Sequence, residues 1–278
     1  MKYVLAVSGG VDSVVLLDLM AKTNHTLVVA HVDHGIRPES ADDELFVRLL
    51  ANKYGLPYVS KRFELGKNSS EERAREARYS FLREQAASHE ATIMTAHHAG
   101  DVIETIALNL ERGTGWRGLA VMHSSGIKRP LVKMTKNELI DYAVRNRLEW
   151  VEDHTNGSDK YQRNRLRKKI NRLVDEKVRT KLLQLRLQQI ELRGEIEREL
   201  IRFTPLLHQR YFLSQVDSDT AEELLASLIY QKTGVSTTRP QRKRALLAVK
   251  TAKAGSVYQV GSGIELHFTS RNLSVKVV

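Results

Sequence analysis

Six residues near the amino terminus, Ser8-Gly9-Gly10-Val11-Asp12-Ser13, restrict the fold more than anything else in the chain. They stand between an apolar, β-branched run, Tyr3–Val7, and a helical pattern, Asp12–Ala21. A buried strand that feeds a helix through a glycine turn is the opening half of a parallel β–α unit. The glycines let the backbone approach a ligand closely, and the helix start offers N–H groups and the positive end of its dipole. An anion such as a phosphate is the natural guest. No lysine follows the glycines, so the string is not a Walker loop.

The same alternation continues for about 150 residues. Thr26–His31, Tyr58–Phe63 and Thr92–Ala96 read as strands, and Ser40–Tyr54, Ser69–Ser88 and Val102–Arg112 as helices. Continuously apolar strands separated by helices predict an α/β fold, a doubly wound and mostly parallel sheet covered on both faces. In such sheets ligands bind beyond the carboxyl ends of the strands. Leu173–Phe203 reads as one long helix, with Val178, Leu182, Leu185, Leu192, Ile196 and Leu200 as its apolar stripe. It serves as a connector, and the stripe leaves open a homodimer seam. Ala221–Thr233 and Arg239–Lys250 read as helices, and Val257–Val260, Ile264–Thr269 and Leu273–Val277 as strands, a small α+β unit. The expected division is a catalytic domain over 1–172, a helical connector over 173–205 and a basic domain over 206–278.

Further motifs fall at the predicted strand ends. His31-Val32-Asp33-His34-Gly35-Ile36-Arg37 follows the second strand, and Glu71, Arg75, Arg78 and Tyr79 share one helix. Thr95-Ala96-His97-His98-Ala99-Gly100-Asp101-Val102-Ile103-Glu104-Thr105 spans a strand–helix junction, and Asp101 and Glu104 fall three apart on one helix face. Arg112-Gly113-Thr114-Gly115, Arg129-Pro130-Leu131 and Tyr161-Gln162-Arg163-Asn164-Arg165-Leu166-Arg167 complete the series. Gly113–Gly118 formally matches G-x-G-x-x-G but follows a helix, the wrong context for a dinucleotide site. The four histidines with Asp33 and Asp101 could suit a transition metal, although carboxylates beside a phosphate site suit magnesium better.

Ser8–Ser13 resembles the pyrophosphate loop of the N-type ATP pyrophosphatases, the PP-loop superfamily. The whole series, in this order, resembles the tRNA(Ile)-lysidine synthases over roughly the first 170 residues. The resemblance implies ATP cleaved between its α and β phosphates with Mg2+, free L-lysine as a second substrate, and an isoleucine tRNA with a CAU anticodon as partner. By it, Ser8, Gly9, Gly10, Val11, Asp12, Ser13 and His31 bind ATP, and Asp12 also holds Mg2+. Asp12, Asp33, Arg78 and Glu104 serve catalysis, and Asp101 and Glu104 receive the lysine amines. The chain departs from the family where two adjacent aspartates and a glutamine are usual, having Gly100, Asp101 and Val102 instead.

Charge supports a polyanionic partner. Of the 278 residues, 44 are Lys or Arg and 33 Asp or Glu, a net charge of +11. Residues 1–150 hold 20 basic and 19 acidic side chains, and residues 151–278 hold 24 and 14, so almost all the excess lies in the second part. Lys160, Arg163, Arg165, Arg167, Lys168 and Lys169 form one acid-free run, and Arg242, Lys243 and Arg244 belong to another. Both suit phosphate contacts of RNA. With no cysteine, these residues offer no disulfide, iron–sulfur cluster or thiol nucleophile. No run approaches the roughly 20 apolar residues of a membrane span, and Val4–Val7 is too short for a signal sequence, which reads as a cytoplasmic protein. The alternatives are another adenylating enzyme of the superfamily, either a tRNA thiolase or a GMP- or NAD-type synthetase, and a non-catalytic RNA-binding protein.

Overall fold

Alternate residues of the first strand already define two cores. In β1 (Lys2–Ala6), Tyr3 and Leu5 face one side and Val4 the other, and all are buried. The computed structural model describes every residue except 36–39, 67–68, 114–115, 153–165, 168, 171 and 173. In it β1 is central to a five-stranded sheet. β2 (Thr26–Asp33) and β3 (Tyr58–Arg62) extend it on one side, β4 (Thr92–Met94) and β5 (Ile127–Lys128) on the other, in the order β3-β2-β1-β4-β5. Every pairing is parallel.

Helices cover both faces, as expected of a doubly wound sheet. α1 (Val11–Ala21), α2 (Ser40–Lys53) and, later in the chain, α5 (Lys136–Arg145) pack against Leu5, Leu27, Val29 and Met94. α3 (Glu71–Ser88) lays Tyr79, Phe81 and Leu82 on Val4, Val28, Ala30 and Ile93. α4 (Ala99–Glu111) buries Val102 and Ile106 against Val121. Eight of the eleven residues of α1 are buried, so this helix is enclosed all round and carries no polar stripe.

The strand order reverses at β1. The chain winds outward through β2 and β3, then returns to β4 on the opposite flank, so the loops leaving β1 and β4 diverge and open a crevice. Ser8–Ser13 follows β1 and His97–Glu104 follows β4. Two motifs some ninety residues apart thus meet for a topological reason.

Three local outcomes differ from the sequence reading. α4 begins at Ala99 rather than Val102, because His98 and Asp101 cap its first turn reciprocally. β5 and α5 go beyond the elements predicted. The long helix α6 (Glu176–Phe203) does not bury one continuous stripe. Leu182 and Leu183 join the cluster around Val102 and Val121, and Ile196 and Leu200 join a different core, while Val178 and Leu192 are exposed. The deepest contact of its first half is an arginine: buried Arg186 donates to the carbonyls of Val121 (2.9 Å) and Met122 (3.3 Å).

The chain divides into two compact units, Met1–Ile190 and Glu191–Val278. In the second, α7 (Arg210–Gln215), α8 (Ser218–Thr233) and α9 (Arg239–Thr251) precede an antiparallel sheet of β6 (Val257–Gly261), β7 (Ile264–Phe268) and β8 (Leu273–Val277). Its core joins Leu224, Leu225 and Ile229 of α8 to Leu246 and Val249 of α9 and to Leu266 and Phe268 of β7. Among the described residues no helix is long and apolar enough to cross a membrane.

One polar cluster ties the first face together. Buried Asp18 of α1 accepts hydrogen bonds from Tyr54 (2.8 Å), Tyr142 (2.7 Å) and Lys22 (2.7 Å). Burial raises its carboxyl's pKa, but these donors together lower it below the ordinary value. Asp18→Asn is expected to cost about 1–3 kcal/mol in urea unfolding at neutral pH. A depressed carboxylate stabilises above its unfolded pKa, so the difference shrinks as pH falls below aspartate's ordinary 3.8.

Candidate active site

The loop after β1 is held by its own hydroxyls. Ser13 Oγ accepts from the Ser8 N–H (3.1 Å) and donates to the Gly10 carbonyl (2.8 Å), and the two serine hydroxyls lie 3.2 Å apart. Gly9 takes φ +91°, a left-handed conformation that a side chain would strain. A Cβ there would meet Phe46, Val47 and Val151 only at ordinary contact distance, 3.5 Å, so the backbone angle rather than space demands glycine. Gly10 is the N-cap of α1 and supplies no side-chain cap. The helix therefore presents its first N–H groups outward, the arrangement that binds anions.

Across the crevice lies a charged floor. Asp12, in the first turn of α1, accepts from Lys136 Nζ at 2.7 Å through Oδ1 and turns Oδ2 toward His98 Nε2 at 4.0 Å. The same Nε2 is 3.8 Å from Asp101 Oδ2, which accepts from the His98 N–H at 2.9 Å. Glu104, one turn along α4 and almost fully buried, is gripped by Arg167 through Nε and, at 3.1 Å, Nη2. Hydrogen bonding to Glu104, with the charges of Asp101 and Asp12 beyond it, raises the Arg167 pKa above the ordinary guanidinium value. Arg167 thus lies against a site carboxylate, with 37% of its side chain exposed.

The β2 motif supports from below. His31 is buried with Nδ1 at 2.9 Å from the Val7 carbonyl, bracing the residue that precedes the loop. Asp33 accepts from the Gly35 N–H at 2.8 Å and lies 3.4 Å from Arg62. On α3, Tyr79 is ringed by Arg75, Arg78 and Arg83, with guanidinium carbons 4.8, 5.7 and 5.9 Å from the ring centre. Arg75, Arg83 and Arg129 line an open cleft of about 570 Å³ between α3 and the edge strand β5. His97 stands within reach of this cationic group. Burial, with the charges of Arg129, Arg75 and Arg78, lowers its pKa to about 4 despite the opposing pull of Asp101.

In the second unit Lys243 and Arg244 are exposed, whereas Arg242 is half-buried and paired with Glu223 at 2.8 Å. Lys169 is exposed. Lys160, Arg163, Arg165 and Lys168, together with Ile36, Arg37, Thr114, Gly115, Tyr161, Gln162 and Asn164, lie outside the described residues. Among the described residues no group of three or more His, Asp or Glu side chains is arranged to hold a metal ion. Sequence reasoning missed Lys136, which reaches Asp12 from 124 positions away, and nothing local to Lys136 signals that role. It also missed Arg62.

Known proteins resemble the first part of this chain. A family model described as a PP-loop domain matches residues 1–174. Curated tRNA(Ile)-lysidine synthases of Haemophilus ducreyi and Thermus thermophilus are 37% and 41% identical over 173 and 182 residues, 60% and 63% of this chain. One of Anaplasma marginale is 39% identical over 175 residues. The matches span 40%, 36% and 38% of those relatives, about two fifths of their length. A solved U34-tRNA thiolase of Methanococcus maripaludis shares the fold, with a TM-score of 0.57 at 20% identity over 69% of this chain and 72% of its own.

The surroundings of His97 set a pH signature. Its imidazole is expected to titrate in an NMR series with a midpoint near pH 4. A depressed histidine loses stability as pH falls from its unfolded value of 6.5 toward that midpoint, because only the unfolded chain takes up the proton there. A midpoint above 6 would contradict the buried, arginine-flanked position.

Proposed function

Since the chain belongs to the PP-loop family, we propose that it is an ATP-dependent ligase that converts the wobble cytidine of an isoleucine tRNA with a CAU anticodon to lysidine. The observation that carries this reading is the meeting of an anion-binding helix start with Asp101 and Glu104 in one crevice. A phosphate donor and an amine nucleophile both find complementary charge there.

The reaction runs in two displacements. The C2 oxygen of the cytidine attacks the α-phosphorus of ATP, forming a C2–O–P bond, and pyrophosphate leaves. The ε-amine of lysine then attacks C2, loses a proton and expels AMP with that oxygen. The residues act mainly by positioning and by offsetting charge. The amides of the Ser8–Ser13 loop receive the pyrophosphate oxygens. Arg78, on the helix face that carries Arg75 and Tyr79, offsets charge on the phosphates. Asp101 supplies a carboxylate that holds a lysine ammonium, and Glu104, both of whose oxygens are bonded to Arg167, joins it only by exchanging that partner for the amine. Asp12 fits Mg2+, which takes one or two carboxylates with substrate phosphates. When bound, the ion stabilises the leaving pyrophosphate. Exposed Lys243, Arg244 and Lys169, and the arginines along α3, provide cations for the tRNA backbone. With such chemistry the protein belongs in the cytoplasm.

The sequence identity to lysidine synthases supports this substrate over those of other PP-loop enzymes. A cysteine-based sulfur transfer finds no support, since the 278 residues contain no cysteine.

Radiolabelled lysine, ATP and magnesium with transcribed isoleucine tRNA bearing CAU test the reading. Label is expected in the tRNA only when ATP and the wobble cytidine are both present. Asp12→Ala is expected to abolish AMP release while leaving tRNA affinity within about twofold, because its role is at the phosphates. AMP formed without labelled tRNA would refute lysine as the nucleophile. The absence of both products with folded protein would refute the ligase.

A further inference from the structure

Gly100 is the second residue of α4, and its lack of a side chain has a consequence. A Cβ built on Gly100 would lie 2.6 Å from His98 Cε1 and 3.0 Å from Nδ1. His98 is 8% exposed, so its ring has little room to yield. Any side chain at position 100 would drive the ring out of its observed position.

That position fixes the imidazole's chemistry. The Gly100 N–H donates to His98 Nδ1 at 3.0 Å, so Nδ1 is bare and the neutral ring carries its proton on Nε2. Nε2 lies 3.8 Å from Asp101 Oδ2 and 4.0 Å from Asp12 Oδ2. Both separations are about 1 Å beyond a hydrogen bond, a gap closed by a small shift or a bridging water. One N–H thus faces two carboxylates from the two loops that bound the crevice. Lys136 is bonded to Asp12 through Oδ1, so the Nε2–H is the donor that faces the remaining Oδ2 of Asp12 together with Asp101.

We propose that His98 is a positioning residue of this reaction and that Gly100 is what gives it access to its position. Resting on the ligase reading above, the inference assigns to Nε2–H the task of holding the phosphate-side Asp12 and the amine-side Asp101 at a fixed separation. The ring thereby sets where the lysine amine stands relative to the activated cytidine. Displacements of about 1 Å at such a point cost up to about 100-fold in rate.

His98 does two jobs, and amide side chains separate them. In His98→Asn the amide oxygen replaces Nδ1 as the cap acceptor and the Nε2 donor is lost. In His98→Gln the amide nitrogen replaces Nε2 and the cap is lost. For His98→Asn we expect a Tm within about 2 °C of wild type, KM for ATP within twofold, and kcat for lysidine formation lower by about 10-fold or more. His98→Gln should melt lower yet keep more of the turnover, and Gly100→Ala should lose turnover as His98→Asn does. His98→Asn turning over within twofold of wild type would overturn the proposal and leave His98 a helix cap alone. Should His98→Asn not fold, the 15N shifts of the wild-type ring decide: a proton on Nε2 supports the arrangement, and one on Nδ1 refutes it. If the wild-type chain makes no lysidine, the ligase reading and this role fall together, whereas an active His98→Asn removes only this role.

Discussion

The start of α1 has no side-chain cap, and much of the site follows from that. Gly10 offers its carbonyl to the Ser13 and Val14 N–H groups but no side-chain oxygen to those of Val11 and Asp12, and Gly9 turns the chain into the helix at φ +91°. A helix end so exposed is stable when its donors meet water or an anion. Around it the chain spends its own hydroxyls on keeping the loop closed, Ser13 bridging Ser8 and Gly10, rather than on satisfying the helix. His31 braces Val7 from beneath. The local sequence thus secures the loop's shape and leaves its donors outward.

Topology supplies the second half of the site. Because the chain reverses its winding at β1, the loop after β4 opens beside the loop after β1. This brings Asp101 and Glu104 to the anion-binding end of α1 without contact between the motifs in sequence. The charges compensate pairwise: Lys136 on Asp12, Arg167 on Glu104 and the His98 N–H between Asp12 and Asp101. Both signs thus stand at close quarters in the crevice, where unpaired buried charge would be costly.

The sheet was legible because its strands are apolar runs bounded by turns. Each of β1 to β4 begins or ends within two residues of its expected limits. What escaped has physical reasons. β5 spans only Ile127–Lys128, too short to leave a period. α5 announced itself by a capping box, Thr135 with Glu138, and was overlooked in a stretch with few apolar runs. α4 starts early because a histidine serves as its cap, outside the usual set of Ser, Thr, Asp and Asn. Motif residues could be named from the sequence, but their partners could not. Lys136 and Arg167 reach the site from 124 and 63 positions away, and the tertiary fold alone relates them.

In the proposed reaction ATP activates an oxygen of the RNA, which an amine then displaces. Cytidine labelled with 18O at C2, placed at the wobble position of the isoleucine tRNA, tests this directly by mass spectrometry of the products. The released AMP is expected to carry the label and the pyrophosphate to lack it. Unlabelled AMP, with lysine nonetheless attached to the tRNA, would contradict it, because the bond broken would then not be the one at C2.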